Sequence, residues 1–254
     1  TKKYLIDLQI KLQKSSGGFK YMAMSKLAEI IKIDHALLLL ETQSIFSLRK
    51  YFDDMVNQKS KAVERFLNEE SAKNALRLTI ELENEGSEHP KIGKLKAIIE
   101  KEIKKDKFSR IMVFVQYRNT INKIYKELKD IPNVSPVQFI GQAKKAGIGL
   151  KQKEQVQILN EFKLGFHNVL IASSVGEEGL DVAETNIVVF YEPTPSAVRN
   201  IQRAGRTGRT KKGKVIVMVT KGTRDEAYRW AGHNKEKQMK KILYGMSNSL
   251  RNYE

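Results

Sequence analysis

A chain of 254 residues with 41% apolar side chains and no cysteine can pack a core, and it can form neither disulfides nor thiolate metal sites. Its net charge of +17 is uneven: residues 1–88 hold 14 Lys and Arg against 13 Asp and Glu, whereas residues 89–254 hold 32 against 16. A positive field confined to one part of the chain points to a polyanion such as nucleic acid as the partner, although a lysine-rich surface that merely keeps a protein soluble has the same composition. The wholly apolar runs, of which Ala36 to Leu40 is as long as any, are far too short to cross a bilayer, and no signal peptide opens the chain. A cytoplasmic protein with no membrane partner is therefore expected. His35, His89, His167 and His233 have no ligand-like spacing, so no metal site is expected.

Residues 1–88 have helical periodicity. Leu5, Leu8 and Leu12 recur at helical spacing, Gly17-Gly18 break the run, and Leu27, Ile30 and Ile31 begin another apolar stripe. Longer helices are predicted over 35–51 and 61–83, with Ala36–Leu40 as the core of this part. The polar stretch from Asn84 through Gly86 to Pro90 reads as a linker, and it sets a first domain at 1–88.

After Pro90 helices and strands alternate. Ile92, Leu95, Ile99 and Ile103 mark one helix face, and strand 111–115 follows. A helix then carries Ile121, Ile124 and Leu128 inward, and strand 137–140 comes next. A helix with Val156, Leu159 and Phe162 inward leads to strands at 169–172, 187–190 and 215–219. Apolar runs separated by amphipathic helices predict an α/β domain over 89–232, a parallel sheet covered by helices on both faces and preceded by an all-helical domain. Residues 233–254 form a basic helical tail. Lys235–Lys241 reads as its solvated face, and Tyr228 and Trp230 read as packing aromatics.

In such sheets ligands gather at the loops beyond the carboxyl ends of the strands. Three of these loops are polar: Gln116-Tyr117-Arg118-Asn119, the stretch from Ser173 to Asp181, and Gln202 to Arg209 after a helix capped by Ser196. The last sets Arg203, Arg206 and Arg209 three residues apart, with Gly205 and Gly208 between them. Guanidinium forks suit phosphate oxygens, and glycines let the backbone approach a ligand. A basic helix end bonding its own carbonyls is the structural alternative; two glycines splitting the arginine row fit it poorly. Gly208–Lys214 imitates a phosphate loop, but Val215 stands where Ser or Thr is needed and a strand follows instead of a helix. Asp225-Glu226-Ala227 imitates an acidic helicase box, yet Thr223 with Glu226 reads as a capping box.

The segment QRAGRTGR, Gln202 to Arg209, resembles motif VI of superfamily 2 helicases. SSVGEEGLD, Ser173 to Asp181, resembles motif V, and Phe114 to Arg118 resembles motif IV. The stretch from Phe139-Ile-Gly-Gln-Ala143 to Tyr228 is most similar to archaeal Hef helicases and their Fanconi-anaemia M relatives, a group in which a helical, thumb-like insertion precedes the second RecA-like domain. The resemblance implies that Arg206 and Arg209 reach the ATP γ-phosphate, with Arg209 as the arginine finger, and that Gln202 positions the γ-phosphate or the attacking water. It implies that Asp181 accepts hydrogen bonds from the ribose and that Gly179 lets the backbone approach it. Gln116, Arg118, Gly141, Gln142, Ser173 and Ser174 would grip phosphates of one nucleic-acid strand. A first RecA-like domain with Walker A and DExH motifs is expected to partner this chain and to bind most of the ATP and Mg²⁺, so the chain alone is expected to be inactive. Forked or branched DNA is the implied substrate. An RNA helicase of the RIG-I-like group and a non-catalytic nucleic-acid-binding module are the alternatives.

Overall fold

A computed structural model describes residues 2–58, 60–141, 149–174, 184–208 and 213–251. The chain divides into two compact units, Thr1–His89 and Pro90–Glu254.

The first unit is helical: α1 (Lys2–Lys14), α2 (Phe19–Thr42), α3 (Ile45–Val56), α4 (Lys61–Asn68) and α5 (Glu70–Asn84). Gly17, at φ +114°, turns the chain between α1 and α2, a left-handed backbone that a side chain would strain. The continuous helix expected over 35–51 is broken. The chain leaves α2 at Gln43, and Ser44, extended at φ −155°, caps α3 by accepting from the Ser47 N–H. The expected 61–83 helix is likewise two helices, parted at Glu69 (ψ 134°). These breaks let α2, α3 and α4 pack against one another, with Leu38, Leu39, Leu48, Phe52, Met55, Val63 and Phe66 buried, which one straight rod could not do. Only Leu38 and Leu39 of the Ala36–Leu40 run are buried; Leu37 and Leu40 face outward. The segment expected as a free linker is pinned at its end. The Glu88 carboxylate accepts the Ile45 N–H at 2.7 Å, and His89 Nε2 bonds the Glu41 carbonyl at 2.9 Å.

The second unit carries α6 (Pro90–Lys105), β1 (Ile111–Phe114), α7 (Arg118–Leu128), β2 (Pro136–Phe139), α8 (Gln152–Leu164), β3 (Val169–Ala172), β4 (Ile187–Phe190), α9 (Ala197–Ala204), β5 (Lys214–Val217) and α10 (Arg224–Arg251). The strands form one parallel sheet in the order β2-β3-β1-β4-β5. In β1, Ile111 and Val113 pack with Leu95, Ile99, Ile121 and Ile124 of α6 and α7, while Met112 and Phe114 pack with Leu159 and Phe162 of α8. Alternate residues thus feed two cores, which is why the inner strands must be apolar throughout. This is the RecA-like α/β fold.

Three expectations change here. Val156 is exposed and Gln155 is buried in its place, its side-chain amide donating to the Ile140 carbonyl at 2.9 Å. The last strand is an edge strand with Lys214 and Val215 exposed, not a buried run. Trp230 is exposed, edge-on to His233. The helix α10 runs without a break past residue 232, and Lys235, Lys237 and Lys240 lie on its solvated side. No helix among the described residues is long and apolar enough to cross a membrane.

Candidate nucleic-acid and nucleotide interface

Because β2, β3 and β1 are parallel neighbours in register, the residues that follow them emerge side by side at one edge of the sheet. Gly141 follows β2, Ser173 and Ser174 follow β3, and Gln116 and Arg118 follow β1. Arg118, the first residue of α7, donates from its guanidinium to the Gly141 carbonyl at 3.2 Å. The Ser173 N–H donates to the Phe139 carbonyl at 2.9 Å, so this serine continues the β-ladder before the chain leaves the sheet. Gln116 and Ser174 are exposed, Arg118 and Gly141 are half-buried, and the Ser173 side chain is mostly covered. Gln155 fixes the Ile140 carbonyl immediately before Gly141. This edge therefore offers hydroxyls, amides and a guanidinium held by fixed backbone, a donor set suited to phosphate oxygens.

The arginine segment leaves α9, whose Ser196 cap accepts from the Arg199 N–H as the sequence suggests. Its three arginines are not equivalent. Arg203 is buried, with its guanidinium carbon 5.1 Å from the centre of the Phe114 ring and 5.4 Å from that of Phe190. It packs as a cation on aromatic faces and is not one of a row of phosphate forks. Arg206 is 8% exposed, and its carbonyl accepts from both the N–H and the hydroxyl of Thr185. Thr207 returns a hydrogen bond to the Thr185 carbonyl, so Thr185 clamps the arginine segment at Arg206 and Thr207. The two glycines also differ. Gly205 closes α9 with ordinary φ −67°, whereas Gly208 sits at φ +78°, the left-handed position that needs glycine. Gln202 is half-buried on α9. Gln142, Gly179, Asp181 and Arg209 lie outside the described residues.

Beneath both segments lies a buried charge cluster that the sequence reading missed. Lys91, at the start of α6, pairs with Asp225 at the start of α10; both are buried, and the Lys91 ammonium also stands 5.3 Å from the Tyr191 ring centre. Asp225 accepts the Thr220 N–H at 3.0 Å as well, while Thr223 Oγ1 accepts the Asp225 N–H. Thr223 therefore caps α10 through Asp225, and Asp225 is the buried acid of this segment. Glu192, just beyond β4, is 5% exposed and its carboxylate accepts the Gln116 N–H. Burial pushes its pKa up to about 7, opposed by the charges of Arg203 and Lys91 and by the Gln116 hydrogen bond. Burial chiefly, then the Glu192 charge, pushes the Tyr117 phenol up beyond its ordinary range. Lys91 lies four residues before Leu95 on the buried face of α6, which is the one sequence signal of a buried cation. Glu192 directly follows a fully buried strand, a weaker signal.

Among the described residues no group of histidines or carboxylates is arranged to hold a metal ion. The arginine segment is cationic, so it fits the phosphate end of a nucleotide and not the cation that accompanies it.

Residues 91–211 match the model of the helicase conserved C-terminal domain. A Methanocaldococcus jannaschii protein provisionally named an ATP-dependent RNA helicase is 39% identical over 97% of this chain, which covers 31% of that protein. The ATP-dependent DNA helicase MPH1 of Pyricularia oryzae is 32% identical over 91% of the chain, covering 22% of its length. The crystal structure of the Pyrococcus furiosus Hef helicase domain superposes with a TM-score of 0.70 at 40% identity, over 91% of this chain and 48% of that one. The chain thus spans less than a third of the length of these curated relatives. The fold, the domain match over 91–211 and these likenesses together identify the chain as a member of helicase superfamily 2, of the archaeal Hef and Fanconi-anaemia M type.

Proposed function

We propose that this chain is the C-terminal motor half of an ATP-dependent translocase acting on forked or branched DNA. The observation that carries the reading is the shared edge of β2, β3 and β1, where Gly141, Ser173, Ser174, Gln116 and Arg118 are brought together with Arg118 locked onto Gly141. Backbone-held donors in a row can take successive phosphates without reading bases, as a translocating motor requires. By the family resemblance Gln142 takes a further phosphate. In this reading a first RecA-like domain of the same protein binds ATP and Mg²⁺, and this chain closes on the nucleotide. Gly179 and Asp181 meet the ribose, Gln202 positions the γ-phosphate or the water, and Arg206 and Arg209 face the phosphate. Bound ATP supplies the phosphoryl-transfer chemistry; the guanidiniums stabilise the charge that spreads over the phosphate. Without the first domain the chain hydrolyses no ATP.

The helical residues 1–88 act as a thumb-like insertion that meets a second arm of the substrate, and residues 233–254 as a basic tail. With a net charge of +1 over 1–88, the insertion cannot act by bulk field and must use a local patch. Lys11 and Lys14 flank the glycine turn on the last turn of α1, where Lys20 is engaged with the Gln13 carbonyl. Fluorescence anisotropy of the chain with forked DNA, plain duplex and an RNA fork at two salt concentrations tests this. Binding should be indifferent to sequence and weaken at least about tenfold between roughly 50 and 200 mM salt through counterion release. The fork should bind more tightly than the duplex, and Lys11→Glu with Lys14→Glu should remove that preference. A fork preference unchanged by those substitutions would leave the helical unit as a spacer. Tighter binding to the RNA fork would favour the RNA-helicase reading, which the name of the M. jannaschii relative raises.

A further inference from the structure

Helicase motifs IV and VI lie far apart in the chain, and their shared neighbour is a carboxylate that belongs to neither. The Glu192 side chain accepts the Gln116 N–H. It lies in the field of Arg203, which α9 seats on Phe114 and Phe190. Phe114 ends β1, two residues before Gln116, and Phe190 ends β4, two residues before Glu192. One buried acid is thus bonded to the segment after β1 and electrostatically paired with the helix that leads into the arginines. The other charges on it are Lys91 from α6, which favours the carboxylate, and Asp225 from α10, which opposes it. The Tyr117 phenol lies within reach of its charge.

We propose that Glu192 is a positioning residue that fixes Gln116–Arg118 against α9, so that the strand-gripping edge and the arginine segment are registered to each other through one buried carboxylate. The proposal rests on the reading of that edge as a nucleic-acid site. Glu192 touches neither ligand. An ionised carboxylate holds the Gln116 N–H through a charge-assisted bond, and a neutral one holds it through an ordinary bond. Its pKa near 7 puts that change within an accessible pH range.

Two measurements on the whole chain test this. In an NMR titration from pH 5.5 to 8.5 the Gln116 amide proton should shift with the ionisation of Glu192, and it should stay flat in Glu192→Gln. In anisotropy titrations with a single-stranded oligothymidine, Glu192→Gln should match the wild type at pH 6. At pH 8.5 it should bind several-fold more weakly, on the order of threefold to tenfold for a lost charge-assisted bond. Glu192→Ala should be weaker than both at either pH. Arg118→Ala serves as the reference for the edge itself and should lose affinity at both pH values. A Glu192→Gln to wild-type ratio that does not change with pH, with Arg118→Ala still weakened, would overturn the positioning role alone. Unchanged affinity in Arg118→Ala would overturn the strand-gripping edge and the proposal with it.

Discussion

Replacing Arg209 with alanine, in a protein that joins this chain to a first RecA-like domain, is expected to lower ATP turnover by about 10³–10⁵-fold, the usual contribution of the arginine finger that we propose it to be. Nucleic-acid affinity should stay within about twofold, because a guanidinium aimed at transition-state charge adds little to ground-state binding. Arg206→Ala should lower turnover too, but with a structural component. The Arg206 side chain is mostly covered, and its backbone is clamped by Thr185. Steady-state phosphate release and anisotropy on the same preparations separate the two effects. An Arg209→Ala protein that kept its turnover and lost its affinity would move motif VI from the nucleotide to the nucleic acid.

The largest effect on stability should come from Lys91→Met. Lys91 and Asp225 are both buried, and removing one partner leaves the other charge uncompensated in low dielectric, at a cost of roughly 3–5 kcal/mol. The pair also ties the first helix of the RecA-like unit to its last, α6 to α10. Lys91→Met with Asp225→Asn should recover most of the loss. The amide that replaces the carboxylate is neutral, and its carbonyl oxygen can still accept the Thr220 N–H that Asp225 holds. Urea unfolding of the three proteins measures this. A loss below about 1 kcal/mol for Lys91→Met would mean that water reaches the pair and screens it.

The sheet was legible because its inner strands are buried on both faces, so that 111–115, 169–172 and 187–190 read as unbroken apolar runs. The fifth strand was read as well, at 215–219 against an observed 214–217, but its edge position was not, since exposed Val215 and half-buried Ile216 look the same in sequence as buried ones. Helix breaks were hidden in the first unit because the apolar stripe continues through Gln43 and Glu69. Ser44, three residues before Ser47, was the only capping signal at the first break, and at Glu69 there was none. Loop polarity pointed to the segments after β1 and β3, whereas Gly141 after β2 came only from the family resemblance, and the alignment of all three depends on strand order. The charge cluster is further from reach. Lys91 and Glu192 are separated by about a hundred residues, and Glu192 and Asp225 by a helix and a strand, so only the topology brings them together. Arg203 shows the limit of spacing: three arginines at equal intervals invited one role, and the aromatic ends of β1 and β4 give the first of them another.

Hydrogen exchange of the chain with and without a single-stranded oligonucleotide at low salt tests the central claim most directly, because it reports where the strand lies. Slower exchange is expected in the segments that follow β1, β2 and β3, around Gln116–Arg118, Gly141 and Ser173–Ser174, with Arg118→Ala reducing it in all three. Protection confined to the basic stretch of α10 or to residues 1–88, with those three segments unchanged, would contradict the account.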